Sequence, residues 1–254
     1  MDRDREPERW RSAVYSDEPI VTQLDDGTTV WPATSNAATS SASQPSMVLS
    51  MLDALDLRQG QRVLEIGTGT GYHAALLAHH VGDHFVTSIE VDRALADQSR
   101  ANLAAAGYAP TVVCADGAGG WPDTAPYDRI ISTAAVIAGR LPYAWIEQTR
   151  PGGLILTPWG MAYRNGALVR LSVHNDGVAT GQVIGSAAFM RLREQRTPFG
   201  HAARLGELVD GSRTAIESMT NIPPIEVATG DGAFSVGLHL PDVQCGVFSE
   251  DDGR

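Results

Sequence analysis

Hydrophobic and polar positions alternate along the middle of the chain in a way that predicts strands and helices in turn. Short apolar runs that end at glycine or at a polar residue predict buried strands at 62–66, 85–90, 111–115, 128–133 and 154–157. Longer stretches with helical spacing or helix-favouring composition predict helices at 47–55, 72–81, 93–106 and 141–149. Strands and helices that alternate in this way form a parallel sheet with helices on both faces, and ligands bind at the carboxyl ends of its strands.

The pattern changes after residue 165. Residues 167–173 and 178–184 flank the turn sequence Asn175-Asp176-Gly177, which predicts two antiparallel strands. We therefore expect an α/β fold with a doubly wound, mostly parallel seven-stranded sheet, an antiparallel pair at its edge and a small C-terminal appendage. In that appendage the pattern predicts a helix at 205–219 and strands at 225–228 and 234–240.

Local composition divides the chain into three parts. Residues 1–44 form a polar N-terminal segment on the substrate side, and residues 45–193 form the α/β domain. Residues 194–254 form the appendage, to which the sequence assigns no role. Small residues dominate 31–46 and predict a loop, which is either a disordered linker or a loop that orders over a ligand.

The charge balance restricts the classes of partner. The chain has 254 residues, with 19 Lys and Arg against 30 Asp and Glu, for a net charge of −11. This acid excess argues against nucleic acid and against an anionic membrane surface as partners. Two cysteines cannot form a disulfide framework, no apolar run is long enough to span a membrane, and residues 1–11 lack the apolar core of a secretory signal, so we expect a cytoplasmic protein. The four histidines between 73 and 84 match no metal-binding pattern, and we expect no metal.

The segment Val-Leu-Glu-Ile-Gly-Thr-Gly-Thr-Gly at 63–71 joins the first predicted core strand to a helix. Its glycines allow positive φ and close approach of a ligand, but their G-x-G-x-G spacing differs from the dinucleotide pattern. Glu65, inside the apolar strand, would repel a phosphate and suits a cationic ligand, which favours S-adenosylmethionine (AdoMet) over NAD. The alternative is that Glu65 only accepts a hydrogen bond from a neighbouring donor.

Further acids stand at the ends of the next two strands. Glu90 is placed to accept hydrogen bonds from ribose hydroxyls, whereas Asp92 is placed to cap the following helix. Asp116 could contact the adenine amino group or could form an ordinary Asp-Gly turn with Gly117. We predict that the cofactor-binding residues are Glu65, Gly67, Thr68, Gly69, Gly71, Glu90, Asp116 and Gly117.

Longer motifs surround these residues: VLEIGTGTGYHAALLA, SIEVD, ADGAGGWPDTAPYDRIISTAA and RPGGLILTPWG. With them, residues from about 15 to 193 resemble the protein-L-isoaspartate O-methyltransferases, a family of class I AdoMet-dependent enzymes. Ser43-Gln44-Pro45 matches the family's Ser-x-Pro segment, whose serine lies at the substrate-binding end of the active site. The resemblance implies a catalytic role for Ser43, and methylation of an isoaspartyl or aspartyl carboxylate whose ester then collapses to a succinimide.

Two departures leave the substrate open. The small-residue insert at about 25–40 and the tail after residue 193 resemble a subgroup that matures ribosomally made peptides by converting an aspartate to an aspartimide. An RNA methyltransferase of related fold is a third interpretation, which the net charge of −11 opposes. The sequence predicts no oligomeric state.

The proposed chemistry needs few catalytic groups. A carboxylate has a pKa of about 4 and is already ionised at neutral pH, so no general base is required. Hydroxyl and N–H donors can hold it, whereas direct contact with Lys or Arg would weaken it as a nucleophile. We therefore expect a neutral or locally positive field near Ser43, despite the acidic chain.

Overall fold

The computed structural model describes residues 3–35, 37–161, 163, 165–196, 221–240 and 243. Within these residues the strands are β1 Ile20–Leu24, β2 Ala38–Ala42, β3 Val63–Ile66, β4 Val86–Glu90, β5 Thr111–Cys114, β6 Tyr127–Ser132, β7 Val136–Ile137, β8 Thr149–Gly160, β9 Asn165–Val173 and β10 Ala179–Ser186. The helices are α1 Pro7–Val14, α2 Pro45–Ala54, α3 Tyr72–Val81, α4 Arg93–Ala105, α5 Tyr143–Gln148, α6 Pro224–Ala228 and α7 Gly230–His239.

The central sheet has the strand order β10-β9-β8-β6-β3-β4-β5, with the short strand β7 beside β8. Neighbouring strands from β8 to β5 are parallel, whereas β9 and β10 are antiparallel. This confirms the expected mostly parallel sheet with an antiparallel pair at its edge. The two-residue β7 adds an eighth strand that is too short to produce a sequence pattern. Strand order reverses between β3 and β6, which opens a crevice at their carboxyl ends.

Two apolar layers hold helices against the sheet. Side chains of successive strand residues point to opposite faces, so Val63 packs with α2 and α3 while Leu64 packs with Trp145 of α5. All three of these side chains are fully buried. A buried aliphatic side chain contributes about 1.5–3 kcal/mol relative to an exposed one. The two layers therefore hold the helices on the sheet and keep the strand ends in fixed positions.

The small-residue segment at 31–46 is not entirely a loop, because its residues 38–42 form β2, which pairs antiparallel with β1. Hydroxyl groups bridge the strands: Thr22 Oγ1 donates to Ser40 Oγ at 3.1 Å, and Thr39 Oγ1 donates to Gln23 Oε1 at 2.9 Å. Cross-strand hydrogen bonds of this kind supplement the weak burial of small side chains, so the composition of the segment alone was misleading.

The predicted strands at 225–228 and 234–240 are wrong, since these residues belong to α6 and α7. Short apolar runs are compatible with either type of element, and contacts of the folded chain decide between them. Phe234 of α7 packs on Trp159 with ring centroids 6.0 Å apart. The predicted helix at 205–219 lies outside the described residues. Among the described residues, none of the helices is both long and apolar enough to cross a membrane.

Candidate active site

A cavity of about 340 Å³ opens at the carboxyl ends of β3, β4, β5 and β6. Its volume falls within the range of small-molecule sites in proteins. The walls come from the glycine loop after β3, the ends of β4 and β5, the segment from β2 to α2, and residues 188–193 with Arg196. The cavity thus joins five of the eight predicted cofactor residues, Gly67, Gly69, Glu90, Asp116 and Gly117, to the segment that contains Ser43.

The glycine loop forms the floor of the cavity. Gly67 and Gly69 line it, with φ values of 96° and 53° that favour glycine. A Cβ on Gly67 would lie 2.5 Å from Oγ1 of Thr133, which itself donates to the Gly67 carbonyl at 2.7 Å. Gly71 lies outside the cavity wall, and a Cβ there would approach Leu103 of α4 to 3.1 Å. Gly71 therefore permits close helix packing, while the first two glycines leave room for a ligand.

Glu65 and Thr68 lie behind the loop instead of on the cavity wall. Glu65 is fully buried: Nδ1 of His73 hydrogen-bonds to its Oε1 at 2.6 Å, and the Ser88 hydroxyl donates to its Oε2. Thr68 Oγ1 hydrogen-bonds to the same Ser88 hydroxyl at 2.6 Å. A buried carboxylate must have such partners, and here protein groups supply them. These two predicted residues therefore lie outside the cavity lining and support the loop from behind.

Glu90 stands at the end of β4, where the sequence predicted it. Its side chain is buried at the cavity wall, Oε2 accepts from the Gly69 N–H at 2.9 Å, and Oε1 accepts from the Asp92 N–H at 3.0 Å. Each carboxylate oxygen keeps a lone pair that can accept from a bound hydroxyl. Asp92 caps α4 as predicted, because Oδ1 accepts from the N–H groups of Ala94 and Leu95.

Asp116 and Gly117 line the same cavity beyond β5. Asp116 Oδ1 accepts from the Ala118 N–H at 2.9 Å, as in an ordinary Asp-Gly turn, and Oδ2 forms no hydrogen bond among the described residues. Gly117 packs against Ile66, whose Cγ2 would lie 2.4 Å from an added Cβ. The turn therefore requires glycine and leaves an acid at the edge of the cavity.

Ser43 lines the same cavity from the segment between β2 and α2. Asp17 holds this segment: Oδ1 accepts from the Ser46 N–H at 2.8 Å, and Oδ2 accepts from Gln44 Nε2 at 3.0 Å. The hydrogen bonds from Ser46 and Gln44 lower the pKa of the Asp17 carboxyl below its usual 3.8. The Ser43 hydroxyl makes no hydrogen bond to any described residue and is free to donate to a ligand.

Three arginines on the cavity wall were not among the predicted site residues. Ala135 N–H donates to Met190 O at 2.7 Å and Leu192 N–H donates to Ala135 O at 3.0 Å, which aligns the segment with the chain after β6. Arg191 and Arg193 belong to this segment and Arg196 lies just after it. The signal in the sequence was three arginines within six positions, but the sequence does not show that they line the same cavity as Ser43. Their charge agrees with the expected field near Ser43.

A sheet that reverses strand order beside a glycine loop, with an acid after the next strand, is the arrangement of the doubly wound, Rossmann-like folds that bind nucleotide cofactors. Comparison with known families narrows this class. The chain belongs to the protein-L-isoaspartate(D-aspartate) O-methyltransferase family, whose model matches residues 2–197. This confirms the resemblance that the motifs indicated.

Individual relatives agree with the family assignment. A protein-L-isoaspartate O-methyltransferase of Ignicoccus hospitalis is 42% identical over 154 residues, covering 60% of this chain and 65% of the relative. The protein-L-isoaspartate O-methyltransferase 2 of Archaeoglobus fulgidus is 38% identical over 189 residues, covering 74% and 78%. A solved protein-L-isoaspartate O-methyltransferase structure superposes with a TM-score of 0.60 and 28% identity, covering 71% of this chain and 54% of that one. The chain therefore spans less than two thirds of the Ignicoccus relative and of the solved structure.

Proposed function

We propose that the protein is an AdoMet-dependent carboxyl O-methyltransferase that methylates an isoaspartyl or aspartyl carboxylate in a protein or peptide. The observation that carries this proposal is that the glycine loop, Glu90 and Ser43 line one and the same cavity. Cofactor and substrate would then meet at the ends of β3 and β6. Family membership supports the same reaction.

The residues of the cavity fit AdoMet. Glu90 offers carboxylate acceptors to the ribose hydroxyls, and Asp116 offers one to the adenine amino group. Gly67 and Gly69 leave the backbone open on the cavity side, where a side chain would collide with Thr133 or narrow the gap to Ser40. The acids also suit a ligand with positive charges.

When bound, AdoMet supplies a methyl group already activated by a sulfonium. Ser43 donates its hydroxyl hydrogen bond to the substrate carboxylate and orients one oxygen towards the methyl group. Thr39 and Ser40, on the same wall, keep the surroundings polar without neutralising the anion. Alignment of reacting groups in this way can lower a barrier by about 7–11 kcal/mol.

The direct test is a methyl-transfer assay on the full chain with methyl-labelled AdoMet and two peptides that differ only in isoaspartate or aspartate. We expect base-labile methyl incorporation into the isoaspartyl peptide. Incorporation into the aspartyl peptide alone would favour the peptide-maturation interpretation. If neither peptide nor a mixture of aged proteins accepts a methyl group, the proposal is wrong.

Ser43→Ala tests the role of the hydroxyl. Loss of one hydrogen bond to a charged group costs about 1.5–3 kcal/mol, so we expect kcat to fall about 10- to 100-fold with unchanged AdoMet affinity. Ser50→Ala is the matched control, because this exposed serine only donates to the Ser46 carbonyl within α2. Equal activity of the two variants would remove Ser43 from the mechanism.

The proposal also includes a cytoplasmic location and a polypeptide as substrate, with neither nucleic acid nor membrane as partner. The net charge of −11 and the two cysteines support these parts. Cell fractionation and a binding assay with anionic vesicles and RNA would test them.

A further inference from the structure

Arg191 differs from the other two arginines of the cavity wall. Arg193 and Arg196 both pair with Asp26, at 3.0 and 2.8 Å. Arg191 is partly buried, donates from Nη2 to the Met161 carbonyl at 2.8 Å, and has no carboxylate partner among the described residues. Burial also lowers the pKa of its guanidinium below its ordinary value. A desolvated cation without a counter-ion is unfavourable, and its remaining N–H donors suit an anion that arrives with a ligand.

The position of Arg191 indicates which ligand brings that anion. Its partner Met161 directly follows β8, and its neighbours Met190 and Leu192 bond to Ala135 after β6. The proposed cofactor contacts lie on β3, β4 and β5, on the other side of the strand-order reversal. Arg191 therefore lies in the half of the cavity that is left for the substrate.

The carboxylate that accepts the methyl group is a poor match for Arg191. A guanidinium bound to it would withdraw electron density from the nucleophile, and the hydroxyl of Ser43 already suits this task. An isoaspartyl residue inside a peptide has only one free carboxylate. A second anion must then come from another residue of the same substrate.

We propose that Arg191 is a specificity-determining residue that binds the carboxylate of an Asp or Glu side chain near the methylated residue, so that the enzyme prefers acidic peptides. This inference rests on the proposed function and adds a sequence preference to it. An Arg–carboxylate pair is planar and forms two parallel hydrogen bonds, which makes it suitable for selecting a neighbouring acid.

The test uses a fluorescently labelled isoaspartyl peptide with glutamate at the flanking positions and a matched peptide with glutamine there. Fluorescence anisotropy with the full chain should show about tenfold or tighter binding of the glutamate peptide by the wild type, the range of a hydrogen bond to a charged group. Arg191→Gln should abolish the preference, and Arg191→Lys should retain part of it. Arg58→Gln is the control with the same charge change, since Arg58 is an exposed residue outside the cavity.

Kinetics separate this role from a structural one. Arg191→Gln should raise KM for the glutamate peptide with little change in kcat, and leave the glutamine peptide and AdoMet affinity unaffected. Equal binding of both peptides by the wild type would overturn the inference, as would a loss of AdoMet affinity in Arg191→Gln. The wild-type comparison stands even if a variant fails to fold. Methylation without acidic preference refutes this inference alone, whereas acidic preference without methylation refutes the proposed function alone.

Discussion

Replacing Glu65 with glutamine tests whether this acid supports the glycine loop or contacts the cofactor. In the structure its oxygens hydrogen-bond to His73 and Ser88, and the side chain has no exposed surface. Glutamine has the same shape, and its amide can keep both hydrogen bonds by accepting from His73 and donating to Ser88. The substitution therefore removes the charge while the loop keeps its geometry.

The expected cost follows from these two bonds. A hydrogen bond to a charged group is worth about 1.5–3 kcal/mol, against about 1 kcal/mol for a neutral pair. Converting both bonds should lower the free energy of unfolding by about 2 kcal/mol. With a urea m-value of about 3 kcal/mol/M, the midpoint should fall by about 0.7 M. The Glu65 side chain does not reach the cavity, so the substitution can act on AdoMet binding only indirectly. We therefore expect AdoMet affinity to change less than about threefold, the size of coupling between residues that share no partner.

Urea unfolding followed by circular dichroism, without cofactor, measures the first quantity, and isothermal titration calorimetry measures the second. Cofactor must be absent during unfolding because ligand binding adds to stability. Glu8→Gln is the matched control: its side chain is 86% exposed in a pair with Arg11, and the change should stay within about 0.5 kcal/mol. An unchanged midpoint with at least tenfold weaker AdoMet binding would refute this reasoning and return Glu65 to the cofactor site.

Two further substitutions address the neighbouring strand end. Glu90→Gln should weaken AdoMet binding about 10- to 100-fold by calorimetry, because it removes a charged acceptor at the cavity wall; Asp97→Asn, in an exposed pair, should leave it unchanged. Asp92→Ala should lower the free energy of unfolding by about 1 kcal/mol at pH 7, because α4 loses its N-cap. Burial raises the pKa of Asp92, but hydrogen bonds from the Leu95 and Ala94 N–H groups, Gln23 and Arg193 outweigh it, so the pKa lies below 3.8. The stabilisation by the ionised Asp92 is then complete above pH 3.8 and is lost as the pH falls through the folded pKa. Urea unfolding of wild type and Asp92→Ala from pH 7 to pH 3 measures it. A constant difference in the free energy of unfolding between the two proteins over this range would contradict the reasoning.

Local signals were sufficient wherever neighbours in the chain decide the structure. The helix predicted at 72–81 matches α3, and the strand predicted at 62–66 differs from β3 by one residue. Asp92 was recognised as a cap because its acceptor serves N–H groups two and three residues later. The glycine loop followed from the strand, turn and helix around it.

The second strand of the N-terminal pair and the elements near the C-terminus were harder to predict, because contacts between residues distant in sequence decide their structure. Residues 38–42 have a composition typical of a loop and become a strand only because β1 lies beside them. Residues 225–228 and 234–240 have short apolar runs that suit either type of element. Only packing against β8, as between Phe234 and Trp159, distinguishes these possibilities.

By itself the sequence determined the order of strands and helices from α2 to β10 apart from the two-residue β7. It also determined the glycine loop with its following acids and the resemblance to a methyltransferase family, since these features depend on residues close together in the chain. The tertiary structure decided which polar groups share a cavity. It placed Glu65 beneath the loop, with His73 and Ser88 as partners, and brought Arg191 into the lining of the cavity that also contains Glu90 and Ser43. The physical reason is that the partners of a buried charge depend on folding contacts between distant segments, which no local pattern records.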